Sequence, residues 1–169
     1  MVPMADDHAS LPPVDVDDTA DKVVVWRAVA RGAGVTLILL VALSVAQAVV
    51  DHNVDNFDNT GWIYPFFVGI LVAYAVGGWV AGRWAPDGAL TNGALAALGG
   101  FVAWIPIRIL IWAVRDEHKG LFSGHSPVLR PGQIFGHLVI ASALGMVGGW
   151  LASRAARRES AGARGSGAS

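Results

Sequence analysis

Apolar residues along this chain come in long blocks separated by short polar breaks, with neither the two-residue alternation of strands nor a stripe of one-sided helices. An α-helix needs about 20 mostly apolar residues to cross roughly 30 Å of hydrocarbon. Four blocks approach that length: 34–50, 62–82, 89–114 and 132–152. The second contains no ionisable side chain except two tyrosines, the third is interrupted by Pro106 and Arg108, and the fourth has His137 as its only titratable group. Turn signals separate them: Asp-Asn-Thr-Gly at 58–61, Ala-Pro-Asp-Gly at 85–88, and the proline-containing stretch from Ser126 to Gly132. A soluble fold would have to bury all four blocks against one another in a very small chain. The pattern therefore predicts an all-α, polytopic membrane protein with four transmembrane helices.

Composition agrees. Of the 169 residues, 54% are hydrophobic and 15% charged, against about 25% charged in an ordinary soluble domain; mean hydropathy is +0.51. Cysteine is absent, which excludes a disulfide framework, a thiolate zinc site and a cysteine nucleophile. A net charge of −1 leaves no electrostatic footprint for nucleic acid. Lysine and arginine are unevenly placed. Lys22, Arg27, Arg31, Arg83, Arg154, Arg157, Arg158 and Arg164 fall at one end of the spans, and Arg115, Lys119 and Arg130 at the other. The positive-inside rule then predicts both termini in the cytoplasm, with the acidic loop Asp51–Gly61 outside. Trp62, Tyr64, Trp84, Trp112 and Trp150 fall near the expected interfaces, as an aromatic belt does. Val35–Val45 followed by Ala46-Gln47-Ala48 also has the form of a signal-peptide core with a cleavage site, but the acidic segment before it is the wrong charge for a leader.

The flanks differ from the spans. Residues 1–18 are acidic and proline-containing, with too little apolar surface to offset ordering entropy, and are expected to be disordered. Residues 19–33 form a basic juxtamembrane segment, either an amphipathic helix along the headgroups or an extension of the first span. Residues 153–169 begin basic, end in Gly, Ala and Ser, and read as a flexible basic tail. The second and fourth spans end alike: the heptapeptide from Gly77 to Arg83 shares five of seven positions with that from Gly148 to Arg154, the signature expected of a two-span internal repeat.

Small residues carry the clearest signal within the spans. Gly69, Ala73, Gly77 and Ala81 recur every fourth position, with Gly78 and Gly82 beside them; Ala141, Gly145, Gly149 and Ser153 repeat the spacing on the fourth span. The third carries Gly93 with Ala97 and Ala96 with Gly100. In lipid, helices associate where small residues allow close backbone approach, so these stripes predict tight packing of the second and fourth spans, or a face left for a second copy. Arg108 is the one charge deep in a span, where charged residues usually face a bundle interior, water or a partner. Trp104 and Trp112 lie four residues either side of it, placed to stack on the guanidinium. Gln133 and His137 share one face of the fourth span and complete a candidate polar site with Arg108.

Other chemistry finds little support. Asp51, His52, His118, His125 and His137 match no ligand spacing, and the calcium-like start at Asp51 lacks the sixth-position glycine and twelfth-position glutamate, so no metal or cofactor is predicted. Ser123, His125 and Ser126 lack an orienting carboxylate and a nucleophile elbow, which leaves no catalytic residue to name.

The stretch GGWVAGRWAPDGALTNGALAAL, from Gly77 to Leu98, resembles the centre of small four-span bacterial membrane proteins of uncharacterised function, of an actinobacterial type. The resemblance covers the middle third and implies a place in a bacterial inner membrane, with no activity to carry over. The leading expectation is a non-enzymatic accessory or self-associating membrane component, in contact with the lipid bilayer and with a homo-oligomeric or membrane-protein partner. The alternative is a small-solute channel or transporter with an outer vestibule at Arg108, Gln133 and His137; a membrane enzyme acting on lipid ranks below both.

Overall fold

A computed structural model describes residues 24–54, 61–114 and 131–165, the side chains of 112, 114 and 161–165 excepted. Within it the chain is all-α. Helix α1 spans Trp26–Asn53, α2 Ile63–Trp84, α3 Ala89–Val114 and α4 Pro131–Gly165. All four are long and apolar enough to cross a membrane, which makes this a multi-pass membrane protein. Valine-rich sequence of this kind adopts helix because hydrocarbon offers no other partner to backbone N–H and C=O groups. The few polar side chains follow the same rule: Thr36 donates to the Gly32 carbonyl at 3.1 Å and Ser44 to the Leu40 carbonyl at 2.8 Å.

A single 3₁₀ turn, Pro86–Gly88, joins α2 to α3, and these two helices lie side by side. Helix α1 covers one flank of the pair and α4 the other, so that α1 and α4 scarcely touch. Two small-residue rows, offset by one position, build this arrangement. On α2, Gly77 faces Gly32 and Thr36 of α1, while Gly78 and Gly82 face Gly145 and Gly149 of α4. On α3, Gly100 faces Thr36, while Gly93 faces Gly145. A Cβ built on Gly32 would lie 2.5 Å from the Gly77 carbonyl oxygen, and one on Gly82 2.8 Å from the Gly149 Cα. Nothing larger than glycine allows helices this close. The stripe expected to join the second and fourth spans is thus divided: Gly77 meets α1, and Gly78 and Gly82 meet α4.

The ends of the bundle differ. At the end holding the α2–α3 turn, called here the terminal end, α1 begins and α4 runs out. The loop end carries the connections at 54–62 and 115–130. Towards the loop end the core enlarges to Leu40, Tyr74 and Phe101, packed with Ala73, Ala97 and Ala141.

At the terminal end one of two expected alternatives is met and one expectation fails. Residues 24–33 do not bend along a headgroup plane; from Trp26 they are continuous with α1. Residues 153–165, expected as part of a flexible tail, instead prolong α4 to Gly165. Ser160 donates to the Ala156 carbonyl, and Glu159 pairs with Arg83 of α2 at 3.1 Å, while alanine and arginine favour helix on their own. Residues 1–18, Arg115, Lys119, Arg130, His118, Ser123, His125 and Ser126 lie outside the described residues.

The echoed heptapeptides make one shared local structure. Arg83 stacks over Trp79 at 5.6 Å and Arg154 over Trp150 at 5.2 Å, each four residues after its ring. Their glycines meet different neighbours: Gly77 packs on α1 and Gly78 on α4, whereas Gly148 packs on α2 and Gly149 on the start of α3. A parallel two-span duplication would pair α1 with α4 as it pairs α2 with α3, so the likeness does not extend to helix pairing.

Candidate functional site

Two neighbouring cavities lie in the loop half of the bundle. The inner one, about 60 Å³, lies among α1, α2, α3 and α4, lined by Tyr74, Phe101, Trp104, His137, Ser44 and Gln47 along with aliphatic residues. Tyr74, almost fully buried, brings its hydroxyl within 3.3 Å of His137 Nδ1, linking α2 to α4. Phe101 stacks against His137 at 5.4 Å and against Trp104 at 6.1 Å, and meets Tyr74 edge-on. The result is an aromatic cluster around space sufficient for a few water molecules.

The outer cavity, about 400 Å³, is a groove opening sideways between α1 and α3. Val41, Val45, Val49, Ile107 and Ile111 form its apolar walls; Arg108, His52 and Asn53 line it as well. Ser44 and Trp104 belong to both cavities. The Trp104 indole N–H donates to Ser44 Oγ at 3.2 Å, and the Ser44 hydroxyl donates in turn to the Leu40 carbonyl. That relay is the partition between the two spaces.

The candidate polar residues are therefore not one vestibule. Arg108 and Trp104 line the outer groove, His137 the inner cavity, and Gln133 is exposed on the first turn of α4, in neither. Nor does Trp104 stack on Arg108: its ring lies on Phe101 and its N–H is taken by Ser44. The side chain of Trp112 lies outside the described residues. Arginine–tryptophan stacks do occur, at the terminal end, where Arg31 sits 3.9 Å over Trp84 besides the Arg83 and Arg154 pairs.

The small-residue candidates are mostly internal. Ala73, Ala81 and Ala141 are buried, Gly69 sits against the Leu43 side chain, and Ser153 returns its hydroxyl to the Trp150 carbonyl. Three residues were not singled out by sequence. Thr36 is the fully buried knob between Gly77 and Gly100. Tyr74, the only polar ring in the middle of the second span, carried a weak signal. Asn92, fully buried, accepts the Val25 N–H at 2.7 Å and donates to the Gly88 carbonyl at 2.8 Å; an asparagine in the first turn of an apolar helix was the available clue.

Among the described residues no three His, Asp or Glu side chains converge as metal ligands would. The chain matches no protein-family model, no curated protein and no solved structure.

Proposed function

We propose that this chain is a non-enzymatic accessory component of a bacterial plasma membrane, acting through the outer surface of a closed helical bundle. One observation carries the reading: the larger cavity opens sideways between α1 and α3, whereas the space enclosed by all four helices is only about 60 Å³. The glycine faces are turned inward on one another, so association with a partner or second copy would rest on larger exposed residues such as Phe135 and Val139 of α4. Arg27, Arg31, Arg83, Arg154, Arg157 and Arg158 cluster at the terminal end, which supports cytoplasmic termini. The test is twofold. Proteoliposomes of the full chain should pass no ions or small solutes under imposed gradients, and crosslinking in native membranes should capture the chain in a defined complex. Wild-type flux, or a chain that is always monomeric and partnerless, overturns the proposal.

A second reading, small-solute permeation, is favoured by the shared Ser44–Trp104 partition. Rotation of one indole would join the groove to the Tyr74–His137 cavity. On that reading Trp104→Ala raises flux in proteoliposomes; unchanged, absent flux removes it.

A further inference from the structure

The groove between α1 and α3 joins aliphatic walls to one half-buried cation and a polar mouth, the surfaces that a single amphiphile would match. From Val41 to Asn53 it follows α1 for about 18 Å at 1.5 Å per residue. Its walls are aliphatic, with Val45 and Val49 largely exposed on the outer surface of the bundle. His52 and Asn53 from the last turn of α1 line its loop end, while Arg108 of α3 sits deeper, one turn short of Ile111. The half-buried Arg108 makes no ion pair with any described residue. Asp51, the only described carboxylate at this end, is exposed and does not line the groove. A guanidinium with no carboxylate partner among the described residues can take an anion from outside, and phosphate oxygens suit its forked donors. Basic pockets between membrane helices are suited to anionic headgroups.

We infer that the α1–α3 groove binds an anionic glycerophospholipid, its phosphate drawn to Arg108 below the His52–Asn53 mouth and one acyl chain along Val41, Val45 and Ile107. The site holds on either reading of the protein's function, because it requires neither transport nor a protein partner. A zwitterionic lipid offers the same chain but a compensated headgroup, so the site discriminates by charge while the hydrocarbon contacts stay common to both.

The experiment uses the full chain in nanodiscs containing phosphatidylglycerol with a photoactivatable acyl chain, the labelled peptides being mapped by mass spectrometry. Label is expected on residues 41–53 and 104–111, with little from phosphatidylcholine bearing the same chain. Arg108→Gln should lower it about tenfold, the effect of roughly 1.4 kcal/mol of binding. Val45→Trp, which fills the apolar wall and leaves the cation intact, should lower it comparably, and serves if Arg108→Gln elutes as aggregate. Free glycerol phosphate at millimolar concentration should not compete. The inference is overturned if both lipids label the groove equally, if a folded Arg108→Gln labels as wild type, if glycerol phosphate displaces the label, or if a second copy or another protein crosslinks there instead.

Discussion

At the scale of single residues, the structure turns on how little room separates one backbone from another. Gly78 lies against the backbone of Gly145, whose Cα would be 2.7 Å from an added Cβ. No side-chain rotation can relieve a clash with backbone, so the helices would have to part and forfeit dispersion contacts along the whole seam. Gly78→Ala is therefore expected to destabilise the fold by about 1–3 kcal/mol, the usual range for overpacking. Gly34 is the contrast, with nothing within 4 Å of its would-be Cβ. There, Gly34→Ala should stabilise by about 0.5–1 kcal/mol through helix propensity alone. Unfolding both variants in one detergent, by heat or by denaturing-detergent titration, checks the pair; equal shifts would mean that close approach is not what holds the bundle. The residue types were legible beforehand, since small residues every fourth position have few other uses in a span. Their direction was not. Gly77 and Gly78 differ by one position, about 100° around a helix, and only the neighbours decide which serves α1 and which α4.

At the scale of elements, boundaries were the harder part. Val25 opens α1 without a side chain able to cap it, and the missing acceptor comes from Asn92 on α3. A local reading looks for a cap within a few residues and cannot see one supplied across 67 positions of sequence. Asn92→Ala should leave the Val25 N–H without that acceptor and fray the first turn of α1, at a loss of about 1–2 kcal/mol. Asn92→Asp keeps the acceptor but loses the donor to the Gly88 carbonyl and buries a charge, so it should recover only part of the protection. Hydrogen exchange of the amides from 25 to 29 reads both, and protection unchanged in the alanine variant would assign the anchor elsewhere. The end of α4 was misread for a related reason. Composition from residue 153 onward looks like a tail, but the Arg83–Glu159 pair ties that stretch to α2 and the Arg154–Trp150 stack supports its first turn from within α4. Both groups of the ion pair are well exposed, so it contributes little by itself; the helix formers around it do the rest.

At the scale of the whole molecule, four membrane-crossing helices were plain in the sequence because a span is a long, coarse signal that survives local noise. The pairing of α2 with α4 was legible from their small-residue stripes; the places of α1 and α3 were not, because α2 and α3 carry small residues towards both of their neighbours. Nor could spacing show that Arg108 and His137 lie in separate spaces, since an indole turned onto Phe101 divides them. One consequence of the unequal core reaches beyond the protein itself. Glycine sits on glycine towards one end of the bundle, and tyrosine, phenylalanine and tryptophan rings fill the core towards the other. Side chains of such unequal size at the two ends are expected to displace unequal areas from the two leaflets. Inserted in a single direction, the protein should favour bilayers whose curvature relieves that mismatch. When detergent is withdrawn from a mixture of small sonicated and large extruded vesicles, more protein per unit lipid is expected in the small ones, and even partition would mean that the mismatch is absorbed by the surrounding lipid.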